Sequence, residues 1–229
     1  MPEGERSEII GSEQEEQGRL RGKAAGKEIA QKRDLPDAGG LLPPVFFEVP
    51  LSADLEAAKR QACSRNFDAS LVRGISSRCR YGFPQVTVCD PLRKGRPFPT
   101  VFWLSCPFLS RKVDGIESAG GVSELGRRIE RDGTRDWRVF NLEYVLFRVF
   151  LLGPERSRVA MEGDPSAWRS LTATGVGGIR PSGGVSVKCL HLQAASMIGL
   201  GWHPGEDWLC ERIGVQECDD PLEWQCATG

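Results

Sequence analysis

The sequence predicts an α+β fold in which a small, mostly antiparallel sheet packs against several helices and follows a disordered N-terminal arm. Three observations carry this expectation. Short runs rich in β-branched and aromatic residues, at 71–75, 85–89 and 100–104, are separated by Gly, Pro and Asp turn signals. After Pro107 the apolar spacing becomes helical, with Leu109, Val113, Ile116 and Ala119 on one stripe. Residues 1–40, by contrast, hold no sustained apolar period, so they cannot bury enough surface to offset their ordering entropy.

Taken in order, the arm segregates its charges, with Glu3, Glu5, Glu8, Glu13, Glu15 and Glu16 ahead of Arg19, Arg21, Lys23, Lys27, Lys32 and Arg33. Such a pattern suits a solvated tail, or an electrostatic tether for an acidic partner or RNA. A single domain is expected over 41–213. It starts with a proline-broken apolar stretch at 41–50, and Ser52 can then cap a helix that runs to Ala62. Strands follow at 71–75 and 85–89, the second ended by Asp90-Pro91, and Arg93-Lys94-Gly95-Arg96-Pro97 supplies a turn before the strand at 100–104. The helix after Pro107 stops at Gly120-Gly121, and a second runs over 123–131.

A third helix, 134–152, is apolar around most of its circumference, which fits either the centre of the core or a homo-oligomer interface. Residues 153–184 read as a long Gly/Pro/Ser loop with a helical turn or two after Asp164-Pro165. Helices at 187–198 and 206–213 complete the domain, and residues 214–229, with Cys218 and Cys226, read as a loose tail.

Thirty basic residues against 31 acidic ones create no strong field, so charge gives no support to a nucleic-acid partner. The first residues lack the basic start and apolar stretch of a signal peptide, and no apolar run approaches the roughly 20 residues that span a bilayer. A cytoplasmic protein with no membrane partner is therefore expected. Its eight cysteines should then be reduced thiols rather than a disulfide framework. No pair forms C-x-x-C, so any metal site has to gather ligands from distant segments.

Four ordered segments carry a resemblance: Arg78-Cys79-Arg80-Tyr81-Gly82-Phe83-Pro84, the run from Phe98 to Pro107, Gly175-Val176-Gly177-Gly178-Ile179, and Val187-Lys188-Cys189-Leu190-His191. Over about residues 54–213 the chain resembles the uncharacterised bacterial family called Domain of Unknown Function 501. The resemblance implies no assigned activity. Genes of that family often neighbour those of a septum-formation initiator and an exopolyphosphatase-like enzyme, which implies a link to cell division or phosphate metabolism. The family pattern also implies histidines two and five residues after His191, where this chain has Gln193 and Ser196.

The chain has two histidines, so imidazole chemistry must use His191 or His203. Cys79, Cys106, Cys189 and His191 offer a thiolate and imidazole set that suits Zn²⁺, although buried cysteines are more often plain small hydrophobes. A helix through 187–198 would put Cys189, Gln193 and Ser196 on one face and turn His191 about 200° away. An extended chain as far as His191 would instead put Cys189 and His191 on one side, able to share an ion. A Cys–His dyad using Cys106 or Cys189 with His191 is a further reading.

Gly177 and Gly178, with Lys188 and His191 downstream, could hold a phosphate or carboxylate on backbone N–H groups and a cation, which would suit an enzyme acting on an anion. The run matches neither G-x-G-x-x-G nor the Walker pattern, and a connecting loop is its ordinary reading. Glu117, Glu124 and Glu143 show no partner at a catalytic spacing and are expected on helix surfaces. Three functions follow: a ligand or metal pocket where the Cys79, Cys106 and Cys189–His191 segments meet, a non-catalytic interaction protein using helix 134–152, or an enzyme acting on an anionic substrate.

Overall fold

The computed structural model describes residues 47–62, 67–180 and 184–227. The arm expected over 1–40 lies outside these residues, as does Cys63. In chain order the elements are α1 (Ser52–Ala62), β1 (Val72–Arg78), β2 (Pro84–Cys89), β3 (Leu92–Arg93), β4 (Arg96–Pro97), β5 (Phe102–Leu104), α2 (Pro107–Ser118), α3 (Gly121–Asp132), α4 (Thr134–Gly163), α5 (Pro165–Thr172), α6 (Leu190–Leu200) and α7 (Glu206–Ile213). The fold is α+β. An antiparallel sheet of order β1-β2-β5 is joined by a separate β3-β4 ribbon.

Every residue of β2 is buried, as expected of a central strand covered on both faces. Phe102 of β5 is fully buried and stacks on Phe147 of α4 at 5.1 Å, with Tyr144 edge-on at 5.9 Å. On its other side α6 comes unusually close, since a Cβ added to Gly199 would lie 2.2 Å from the Phe102 ring. Only glycine lets the helix backbone reach that ring. We expect Gly199→Ala to cost about 1–3 kcal/mol through overpacking, seen as a lower urea midpoint with an unchanged slope.

The break expected at Gly153 is real, but a long loop does not follow it. Gly153 adopts φ 72°, ψ 170°, and helical structure resumes at Pro154 and continues to Gly163. Proline needs no N–H partner at a first helical turn and arrives with its φ set, so Gly-Pro here ends one helical run and opens another. The Asp164 carboxylate then caps α5 by accepting N–H bonds from Ser166 and Ala167 at 3.0 and 2.9 Å. Within the expected loop, the described residues outside these helices begin at Ala173.

One face of the first half of α4 is turned to the interior. Trp137, Phe140, Asn141, Tyr144, Phe147, Arg148 and Leu152 are buried, while Val139 and Leu142 are exposed. Arg148 is fully buried and its guanidinium donates to four backbone carbonyls, those of Leu171, Thr174, Gly175 and Pro99, at 2.6, 2.9, 2.8 and 3.2 Å. Asn141 accepts the Val176 N–H at 3.0 Å and donates to the Trp137 carbonyl at 2.7 Å. The glycine-rich segment is thus pinned against the polar face of α4. A Cβ on Gly175 would lie 1.8 Å from the Asn141 amide oxygen, which is the reason for glycine there.

Residues after Gly214 are not a loose tail. As far as residue 227 they hold no helix or strand, yet Cys218 and Cys226 are buried, and the segment is bonded to the β1–β2 turn. Among the described residues no helix is long and apolar enough to cross a membrane.

Candidate metal centre

The site is built where the end of α2 meets the start of α6. Cys189 has extended backbone (φ −156°, ψ 129°) and forms the N-cap of α6, so the helix begins at Leu190 rather than at the expected Val187. Extended geometry at the cap brings the Cys189 and His191 side chains to one side, with Sγ and Nδ1 3.8 Å apart. Gln193 and Ser196 turn instead into the core, where both are fully buried.

From α2, Ser110, Asp114 and Glu117 lie at i, i+4 and i+7, one face of the helix. The Glu117 Oε1 atom is 3.4 Å from His191 Nδ1 and also accepts the Leu190 N–H. That amide opens α6, so the carboxylate sits at a positive helix end. The Glu117 carboxyl is held below its usual range, because these donors outweigh the burial that would raise it. Burial pushes the Cys189 thiol up, reinforced by the Glu117 charge and opposed by the N–H groups of Leu192 and His191.

The far nitrogen of His191, Nε2, is 3.2 Å from the Ser110 carbonyl and 3.2 Å from Asp114 Oδ1. Both are acceptors, so Nε2 carries the proton and donates. Nδ1 of the neutral ring then holds a lone pair aimed at a carboxylate oxygen and a sulfur. The Cys189 thiol hydrogen can bridge these acceptors, and a metal ion that displaces it can do the same. Glu117, Cys189 and His191 form a group whose potential ligand atoms all lie within 4.8 Å of one another.

Cys79 and Cys106 are not part of this group. Cys106 caps the first turn of α2 and Glu117 occupies its last, a separation of about 16 Å along the axis at 1.5 Å per residue. The expected four-ligand set therefore divides. Lys188 is exposed and reaches the Gly177 carbonyl at 3.5 Å. In the glycine segment, the Gly175 N–H donates to the Ile179 carbonyl, that of Gly178 to Gly175, and that of Ile179 to Val176.

Glu117 was expected on a helix surface and is instead a member of the site. Its signal was electrostatic. An acidic residue in the last turn of a helix faces the negative end of the dipole and needs a compensating partner. Glu124 and Glu143 do have partners, the indole N–H groups of Trp208 and Trp202 at 2.9 and 2.6 Å. His203 lies in a loop segment between α6 and α7, as its turn neighbours predict, but it is buried.

The chain matches no curated protein and no solved structure. It does match a family model, described as a protein of unknown function (DUF501), over residues 75–211. That match covers β2, β5, α2 and α6, and with them every residue of the Glu117–Cys189–His191 group. With more than half of its length inside that match, the chain belongs to the DUF501 family of proteins of unknown function.

Proposed function

We propose that this domain binds a transition-metal ion, with Zn²⁺ the best match, through Glu117 Oε1, Cys189 Sγ and His191 Nδ1. The supporting observation is the convergence of these three atoms within 4.8 Å. Zinc bonds of about 2.0–2.3 Å at tetrahedral angles put nitrogen and oxygen ligands about 3.4 Å apart, and sulfur and nitrogen about 3.6 Å apart. The corresponding separations here are 3.4 and 3.8 Å. Asp114 completes the arrangement as the carboxylate that accepts from Nε2–H and orients the ring, an outer partner common to metal-bound histidines.

Three protein ligands leave one tetrahedral position for water or an anionic ligand, the pattern of zinc sites that do chemistry rather than only stabilise a fold. Exposed Lys188, next to Cys189, would place a positive charge near such an anion.

Metal analysis of the purified full chain should find an equivalent of Zn²⁺ that disappears in Cys189→Ser and in His191→Ala. Asp114→Asn should keep the ligands and weaken affinity about 10–100-fold. A folded wild-type chain that takes up no Zn²⁺ dependent on Cys189 and His191 overturns the reading. Cys189 and His191 would then be a thiol–imidazole hydrogen bond beside Glu117.

A further inference from the structure

Four of the cysteines outside this centre lie on segments that meet at the opposite end of α2. Cys79 opens the β1–β2 turn, where its N–H donates to the Phe83 carbonyl at 3.0 Å, and is half-buried. Cys106 caps α2, and its N–H donates to the Gln85 carbonyl at 3.2 Å. Cys218 and Cys226 come from the irregular segment after Gly214. All four are free thiols.

The C-terminal segment is held on this spot by bonds that land beside the other two cysteines. Gln85 Nε2 donates to the Gln216 carbonyl at 3.0 Å, the Arg80 N–H to the Glu217 carboxylate at 2.9 Å, and the Arg80 guanidinium to the Cys218 carbonyl at 2.5 Å. The Tyr81 hydroxyl donates to the Asp219 carbonyl. Gln61 Nε2 bridges the Pro84 carbonyl at 3.0 Å and the Cys226 sulfur at 3.3 Å. Trp224 packs edge-on against Phe108 at 5.3 Å, two residues after Cys106.

We propose that Cys79, Cys106, Cys218 and Cys226 form a second, all-thiolate Zn²⁺ site that fastens the C-terminal segment to the β1–β2 turn and the start of α2.

Two features favour an ion over four ordinary buried thiols. First, residues 214–227 have no helix or strand and no apolar stripe of their own, and short irregular segments of that kind are commonly stapled by a disulfide or a metal. Second, two of the sulfurs have donors beside them: Gln61 Nε2 on Cys226 at 3.3 Å, and the first amides of α2, those of Phe108 and Leu109, on Cys106.

The sulfurs also feel one another. Cys106 is influenced by Cys79 and Cys226, Cys218 by Cys79, and Cys226 by Cys79 and Cys218. Burial pushes the Cys106, Cys218 and Cys226 thiols up, Cys106 to about 12, so binding would displace their protons. No three of the sulfurs lie within 4.8 Å of one another, whereas a Zn²⁺ cage needs about 3.8 Å. The C-terminal segment, which carries two of them, is the part that closes the cage.

The site is independent of the Glu117 centre, and the test separates them. Zinc content is measured on the full chain, on Cys218→Ser/Cys226→Ser and on Cys189→Ser/His191→Ala. About two ions per wild-type chain, with one lost in each double variant, are expected. One ion that survives the Cys189/His191 change but not the Cys218/Cys226 change supports this site and overturns the other. One ion with the reverse dependence, or none at all, overturns this site.

Iodoacetamide mapping of the unmutated chain with and without added Zn²⁺ guards against variants that fail to fold. Protection of Cys79, Cys106, Cys218 and Cys226, with half-buried Cys210 unchanged, is expected. Equal labelling in both conditions, or a disulfide among the four that makes the chain two mass units lighter, overturns the proposal.

Discussion

Replacing Arg148 with Leu should destabilise the domain by about 3–5 kcal/mol, the range for removing one partner from a buried charged network. The guanidinium ties α4 to the end of α5, to the glycine segment and to the approach to β5 through four carbonyls, and it faces the Tyr144 ring at 5.4 Å. Burial lowers its pKa, yet arginine stays protonated across any working range. Among the described residues it has no carboxylate partner. Its charge is solvated by peptide carbonyls, the Thr174 hydroxyl and the Tyr144 ring.

Leucine would take this donor from the carbonyls of Leu171, Thr174 and Pro99 and leave that of Gly175 with the Gly178 N–H, and a buried acceptor is expensive to strand. Arg148→Lys should recover only part of the loss, because one ammonium cannot reach carbonyls on both sides as a planar fork does. Urea unfolding of both variants measures this. If Arg148→Leu unfolds within about 1 kcal/mol of wild type, the cost of desolvating the guanidinium already cancels its bonds, as it does for some buried ions.

That hub also marks where sequence reasoning succeeds and where it stops. Helices α1 and α7 and strand β2 follow from local signals, the Asp90-Pro91 stop and the period of the apolar residues, although Leu51 rather than Ser52 stands at the cap of α1. These signals act within one turn or one pleat. Gly153-Pro154 misleads because its dipeptide chemistry fits both the end of one helix and the start of another. Only packing decides which, and here Arg156 reaches across to buried Asp90 at 2.7 Å and the second helical run is kept. The tail misleads for a related reason. Cys218 and Cys226 are buried without any period, so no pattern announces it.

In the site, Cys189 and His191 were legible because they are neighbours and the extended alternative put them on one side. Glu117 comes from a helix far back along the chain, and its only local sign is an unfavourable position in the last turn of α2. The two positions where the family resemblance implies histidine were expected to share a face with Cys189. Once Cys189 is the cap rather than part of the helix, Gln193 and Ser196 lose that relation and belong to the core. One residue of helix start changes which side chains can share a ligand.

Acid should expose the second histidine. His203 is buried against Phe140 and Trp137, with ring centroids at 4.7 and 6.3 Å, and this burial lowers its pKa from 6.5 to about 3. Its Nδ1 accepts the Gly205 N–H at 2.9 Å, so Nε2 carries the proton and donates to Gln193 Oε1 at 3.0 Å. A second proton would have to go on Nδ1, against the Gly205 donor. The folded state therefore binds this proton far less readily than the unfolded chain does. Stability from neutral His203 is complete above about pH 6.5 and is lost as pH falls towards 3, at up to about 1.4 kcal/mol per pH unit.

The carboxylates act elsewhere. Asp54, Asp90 and Glu117 have lowered folded values, so their contributions are intact above their unfolded values of 3.8 to 4.5 and fade only below them. Between pH 6.5 and 4.5 the wild type should accordingly lose about 2–3 kcal/mol through His203. His203→Gln should start less stable at pH 7 and lose that much less over the same interval. Urea midpoints at pH 7.0, 6.0, 5.0 and 4.5 for the two proteins make the comparison. Parallel curves would show that His203 keeps its neutral form at no cost to the fold, and would remove it as the source of acid sensitivity.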